Sequence, residues 1–189
     1  MSGALTFTTD PTLRRAGLAA LVFYVLHFGW HVTHGAHWDL FWVCNVSMPL
    51  LALGCFIGHT RLCIASVLIL SYGTPMWLLD LATGGTLVPT SLLTHLGGLV
   101  AGGFAVRRLG WPPGAWRFGC LVTLAVLAIT RLVTPPGPNV NLAFRVHDGW
   151  EKWFPHHSVY LAMMWMGSAV WFFAVERAVR FLSRKKQLS

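Results

Sequence analysis

The chain has 189 residues, 55% hydrophobic and only 11% charged, with mean hydropathy +0.60 and a formal net charge of +8. An ordinary soluble domain carries about a quarter of its residues as charges, so this composition excludes that class and indicates an all-α, polytopic membrane bundle of one compact domain. Nucleic acid is excluded as a partner despite the basic charge, because the cations stand at the ends of apolar segments and not on one soluble face.

Residues 1–13 read as a short polar tail. The run that follows Arg14 and Arg15 has the start of a signal peptide but continues through aromatics and histidines without a small-residue exit, so it reads as a spanning helix over residues 14–34. Further helices are expected over 38–58, 61–81, 88–106, 115–133 and 157–182, each near the 20 residues a bilayer crossing needs. Thr83-Gly84-Gly85-Thr86 marks a turn, and Pro112-Pro113 and Pro135-Pro136-Gly137-Pro138 mark loops. Residues 183–189 read as a basic tail, and residues 14–182 as the transmembrane domain. No lipidation motif is evident.

Orientation follows from the cations. Placing the N-terminus inside puts Arg14, Arg15, Arg61, Arg107, Arg108, Arg117, Arg177, Arg180, Arg184, Lys185 and Lys186 on that side, 11 of the 14 basic residues. Arg131, Arg145 and Lys152 remain outside. This alternation predicts six helices with both termini cytoplasmic in the inner (plasma) membrane. Cys55, Cys63 and Cys120 then lie near the cytoplasmic face, where thiols stay reduced, and Cys44 alone lies in the outer half. No C-x-x-C spacing occurs, so zinc-ribbon and thioredoxin-like readings fail.

At 1.5 Å per residue, Cys44, His95 and His27 each sit about 10 Å below the outer end of their own helices. A thiol near a histidine can act as an acyl-accepting nucleophile. His95 is the first candidate base and His27 the second, with Asn45 or Ser47 steadying a developing oxyanion or the imidazole. The alternative is ordinary packing. His27, His31 and His34 share one helix face at i, i+4 and i+7, a spacing that suits a metal or a wet vestibule. His27 or His31 with His95 would suit a bis-histidine haem. Asp80 and Arg131 are expected to pair as an ion bridge between helices. Pro49 and Pro75 are expected to kink their helices, Gly97-Gly98 and Gly102-Gly103 to allow close packing, and the tryptophans near helix ends to form an interfacial belt.

Several short motifs carry a resemblance. Trp38-Asp39-Leu40-Phe41-Trp42-Val43-Cys44, Ser71-Tyr72-Gly73-Thr74-Pro75, Leu78-Leu79-Asp80-Leu81, Thr94-His95, the stretch from Pro138 to Phe144 and Tyr160 resemble, in order and spacing, the YwaF-like bacterial integral membrane family. The chain has Trp42-Val43 where that family places a histidine before the cysteine, and Leu142 where it has a loop tyrosine. A related eukaryotic branch moves fatty acyl chains between phospholipids through an acyl-cysteine. The resemblance therefore implies that Cys44 is the acyl-carrying thiol, His95 its base and Asn141 a supporting loop residue. Together these readings make the chain a candidate lipid acyltransferase with membrane lipid as its partner and no cofactor. The rivals are a transporter or accessory membrane subunit, and a histidine-based metal- or haem-binding membrane protein.

Overall fold

The computed structural model describes residues 7–188, with side chains described through residue 183. The first six residues of the polar tail and the side chains of Arg184, Lys185 and Lys186 lie outside the described residues. Six α-helices follow one another: α1 (Pro11–Thr33), α2 (Val43–Phe56), α3 (Thr60–Ala82), α4 (Gly98–Leu109), α5 (Ala115–Val133) and α6 (His157–Leu188). No strand occurs among the described residues. The helix α6 continues through the segment expected to be a tail.

Four helices, α1, α3, α5 and α6, are long and apolar enough to cross a membrane. Large apolar side chains stand exposed along them, among them Leu18, Val25, Leu121, Leu132 and Val170. A soluble monomer rarely exposes apolar surface on this scale, and the pattern is that of an integral membrane protein. The α3 helix is the hub: it packs on α2, α4, α5 and α6 and is the most buried of the four.

Two elements depart from the expected lengths. The second helix does not begin at residue 38. Residues His37–Phe41 form a 3-10 turn, Trp42 is extended, and the α-helix starts at Val43. Its 14 residues span about 21 Å, short of the roughly 30 Å hydrocarbon core. The fourth helix is also interrupted. A π-helical turn, Leu93–Gly97, runs directly into α4. Pro49 and Pro75 lie inside α2 and α3, as expected, and remove the hydrogen bonds that the Asn45 and Ser71 carbonyls would receive. Irregular backbone at this depth is tolerated where it lines a cavity or is buried in protein, and all three irregularities surround the site described below.

The opposite end is regular and tight. Thr8 N–H donates to the Phe56 carbonyl at 2.7 Å, and Asp10 caps α1 by accepting from Thr12 and Leu13 N–H. Asp10 also meets Arg108 at 2.5 Å, so the start of α1 abuts the end of α4. The guanidinium, with the two capping amides, holds the Asp10 carboxyl below its usual value. Glu176, 4% exposed on α6, accepts from Gly114 N–H at 2.7 Å and Trp116 N–H at 2.9 Å, and Arg180 stands 3.8 Å away. The carboxylate thereby occupies the positive end of the α5 dipole and satisfies two amides that have no intrahelical acceptor. Glu176 is the one acidic residue in the last apolar span, and that isolation was its sequence signal. Cys55 and Cys63 touch at 3.8 Å between α2 and α3, a pair eight residues apart that no short cysteine motif would reveal.

Candidate functional site

A cavity of about 500 Å³ lies between α1, the first turn of α2, α3, α5, α6 and the 134–156 loop. Its wall includes His27 and His31 from α1, Cys44 and Asn45 from α2, the Tyr72 to Asp80 part of α3, His95 from the π turn, and Asn141, Arg145 and His147 from the loop. Apolar residues of α5 and α6, among them Leu127, Leu161, Met164 and Phe172, complete it.

Gly73 brings the thiol and the imidazole together. A Cβ placed on Gly73 would overlap the Cys44 sulfur and lie 3.9 Å from Cε1 of His95. Sulfur and ring therefore border one notch on α3, within about two hydrogen-bond lengths of each other. No hydrogen bond joins them directly. The His95 ring is fixed on its far sides: it stacks on Trp77 with centroids 4.7 Å apart and planes 6° apart, and Nδ1 lies 3.4 Å from the Thr74 hydroxyl. If Nδ1–H donates to Thr74, Nε2 is the free acceptor. The π turn places His95 here, a distortion common at functional sites.

Cys44 is the second residue of α2, so it sits at that helix's positive end. Asn45 and Ser47, the residues expected to steady an oxyanion or the imidazole, both bond backbone carbonyls. Ser47 Oγ donates to the Cys44 carbonyl at 2.6 Å, and Asn45 Nδ2 donates to the Asp39 carbonyl at 2.8 Å. These bonds shape the first turn, and the Asn45 side chain also stands beside His27 on the cavity wall. The buried Trp165 Nε1, in contrast, lines the cavity with no partner among the described residues.

Asn141 starts α2. Its carboxamide oxygen accepts from Val43 N–H at 2.7 Å, and its nitrogen donates to the Phe41 carbonyl at 2.7 Å and the Thr130 hydroxyl at 2.8 Å. One side chain thus ties the loop and α5 to the residue before Cys44. The left-handed backbone of Asn139, Asn141 and Leu142 (φ 50°, 54° and 56°) aims it there, and for Leu142 that conformation is strained.

The expected ion pair between Asp80 and Arg131 does not form. Asp80 meets His147 at 3.2 Å, while Arg131 donates to the Ala143 carbonyl and lies over the Phe144 ring. Both residues hold the loop down, one on α3 and one on α5. The three-histidine face of α1 also divides. His27 and His31 turn inward and meet at Nε2–Nε2 3.1 Å. His34 turns outward, stacks on Trp30 and bonds the Trp30 carbonyl. A cluster of three or more histidine, cysteine or acidic side chains able to hold a metal is absent among the described residues, and His34 is the C-cap residue, past the end of the helix that carries His27 and His31.

No protein-family model, no curated protein and no solved structure matches this chain.

Proposed function

We propose that this membrane protein is a lipid acyltransferase that carries the acyl group on Cys44, with its basic end cytoplasmic and the cavity in the outer half of the membrane. The observation that carries the reading is the Gly73 notch, which holds the Cys44 sulfur and the His95 ring at the edge of one cavity. In the first half-reaction the thiol sulfur adds to a glycerophospholipid ester carbonyl. The S–C bond forms and the ester C–O bond breaks, and the thiol proton passes through His95 Nε2 to the leaving oxygen. In the second half-reaction an acceptor hydroxyl takes the acyl group, its proton leaves, and the sulfur regains one.

Three further features favour this chemistry. The positive end of α2 lies at the reacting sulfur, where negative charge develops on the carbonyl oxygen. Trp165 lines the same cavity, and its buried Nε1–H has no partner among the described residues, which leaves a donor for an ester group. Polar groups of the loop and apolar groups of α5 and α6 share the wall, as an amphiphile requires. The motif resemblance to the YwaF-like family, through its related eukaryotic branch, implies an acyl-cysteine at the same residue.

The test is acyl transfer to a lysophospholipid in vesicles reconstituted with the pure protein. Transfer is expected to fall by at least about 100-fold in Cys44→Ser and in His95→Ala. Transfer that survives in both variants would end the proposal.

A further inference from the structure

His27, His31 and Asp39 also line the cavity, yet moving the thiol proton does not need them. They are joined in a chain. His27 Nδ1 lies 2.7 Å from the Thr90 hydroxyl, His27 Nε2 faces His31 Nε2 at 3.1 Å, and His31 Nδ1 faces the Asp39 carboxylate at 3.7 Å. The rings are 2% and 4% exposed, and His31 Nδ1 has no hydrogen-bond partner among the described residues.

This geometry fixes where protons can be. Two ring nitrogens at 3.1 Å cannot both carry hydrogen or both present lone pairs, so one proton lies between them. A carboxylate beside His31 Nδ1 favours hydrogen on that nitrogen. In the neutral pair His27 Nε2–H then donates to His31, and Thr90 O–H donates to His27 Nδ1. If the pair gains a proton, Nδ1 becomes N–H and donates to the same Thr90 oxygen, while Asp39 balances the new charge. A hydroxyl both donates and accepts, so the links from Thr90 through His27 to His31 are hydrogen-bonded in either state, and Asp39 acts on His31 through its charge. The other groups near the pair are His95 and the Asn45 amide. His34 faces away, and no further cation touches it among the described residues.

We propose that the His27–His31 pair is the general base for the acceptor hydroxyl in the second half-reaction, with Thr90 as the hydroxyl that relays the proton and Asp39 as a positioning residue. This rests on the acyl-transfer reading. As the new ester C–O bond forms and the S–C bond breaks, the acceptor O–H proton passes to Thr90 Oγ while the Thr90 O–H proton moves to His27 Nδ1, and a proton then returns to the Cys44 sulfur through His95. Protons balance over the cycle, and the pair ends neutral as it began.

The experiment uses the full chain in vesicles, acylated at Cys44 from phospholipid and then separated from the donor. Discharge of the thioester is followed with lysophospholipid, which needs a base, and with hydroxylamine, which does not. In Asp39→Asn and in His31→Gln the ratio of lysophospholipid to hydroxylamine discharge is expected to fall about 100-fold from its wild-type value. Thr90→Val, which removes the relaying hydroxyl, is expected to lower it as far. Hydroxylamine discharge by the same variants reports an intact, accessible Cys44. An unchanged ratio in the acylated variants would overturn the proposal alone. A wild-type protein that never acquires the acyl group would overturn the acyl-transfer reading and this inference with it. Stoichiometric metal retained by the wild type and lost from His31→Gln would also overturn it, because a metal would then replace the shared proton.

Discussion

The two ends of the bundle hold the same residue type in opposite settings. At the basic end Cys55 and Cys63 are fully buried, and Cβ atoms added to Gly17 or Gly54 would stand only 2.9 Å from Cys55 Cβ or Cys63 Sγ. Caps close this end: Asp10 on α1 and Glu176 on α5. At the other end α2 starts late, α3 carries Pro75 and a π turn precedes α4, and Cys44 borders a cavity with imidazoles around it. The difference teaches that a cysteine here is read by what its neighbouring glycine leaves open. Gly54 makes room for a packed sulfur, whereas Gly73 makes room for a sulfur, a ring and a space beside them.

The sharpest way to break that comparison is to fill both glycines. Gly73→Ala places a methyl group on the Cys44 sulfur and is expected to reduce acyl uptake at least about 100-fold, on the scale by which a displaced reacting group slows chemistry. Thermal unfolding of the same variant is expected to change less than that of Gly54→Ala. At Gly54 the new Cβ would meet Cys63 Sγ and Leu62 Cβ at 2.9 Å and backbone nitrogen at 3.0 Å. Overpacking of that kind costs about 1–3 kcal/mol, with the site left working in whatever protein folds. Equal loss of activity in both variants would erase the distinction between the two ends.

The caps sharpen the comparison next. Glu176→Ala leaves the Gly114 and Trp116 amides without acceptors. It is expected to cost about 2–3 kcal/mol by denaturant titration, with the Cys44 acylation rate unchanged in the folded fraction. Asn141→Ala releases Val43 N–H and the Thr130 hydroxyl and is expected to cost about 1–2 kcal/mol. It also slows acylation, because it loosens the turn that carries Cys44. An Asn141 variant that lost stability but kept the full acylation rate would reduce the loop to a fastener.

The smallest effect is electrostatic. The Asp10 carboxyl is held below its usual value by Arg108 and the α1 amides. A lowered folded-state value means the stabilisation is complete above the unfolded value near 4 and fades as pH falls through the lowered one. The melting temperature of the wild type is expected to approach that of Asp10→Asn as the buffer is taken below pH 4, and to exceed it modestly at neutral pH. Two melting curves that keep a constant gap through this range would contradict the pairing.

Much of the fold was legible because apolar length and terminal charge are linear properties of a chain. The helix over residues 115–133 was read with both bounds as observed, since Gly114 opens it and Pro135 follows it. The start of α2 was not legible. Nothing in the run from Trp38 to Cys44 announces that a loop asparagine almost a hundred residues later will accept from Val43 N–H and begin the helix there. The site was half legible for a similar reason. Sequence gave equal depths for Cys44, His95 and His27, but azimuth decides partners. The π turn carries His95 beside the Gly73 notch, and α1 ends at Thr33, so His34 leaves the helical face and stacks on Trp30. Asp80 and Arg131 matched in depth and charge, yet the 134–156 loop lies over them and takes each one's bond for itself.

The most direct measurement is of the thioester itself. Protein incubated with phospholipid vesicles and then digested is expected to yield a Cys44 peptide that carries one fatty acyl mass, removable by neutral hydroxylamine, with no such mass on Cys55, Cys63 or Cys120. The acyl mass is expected to be lost in Gly73→Ala. Acyl transfer to lysophospholipid that proceeds while Cys44 stays unmodified, or that persists in Cys44→Ser, would contradict the account.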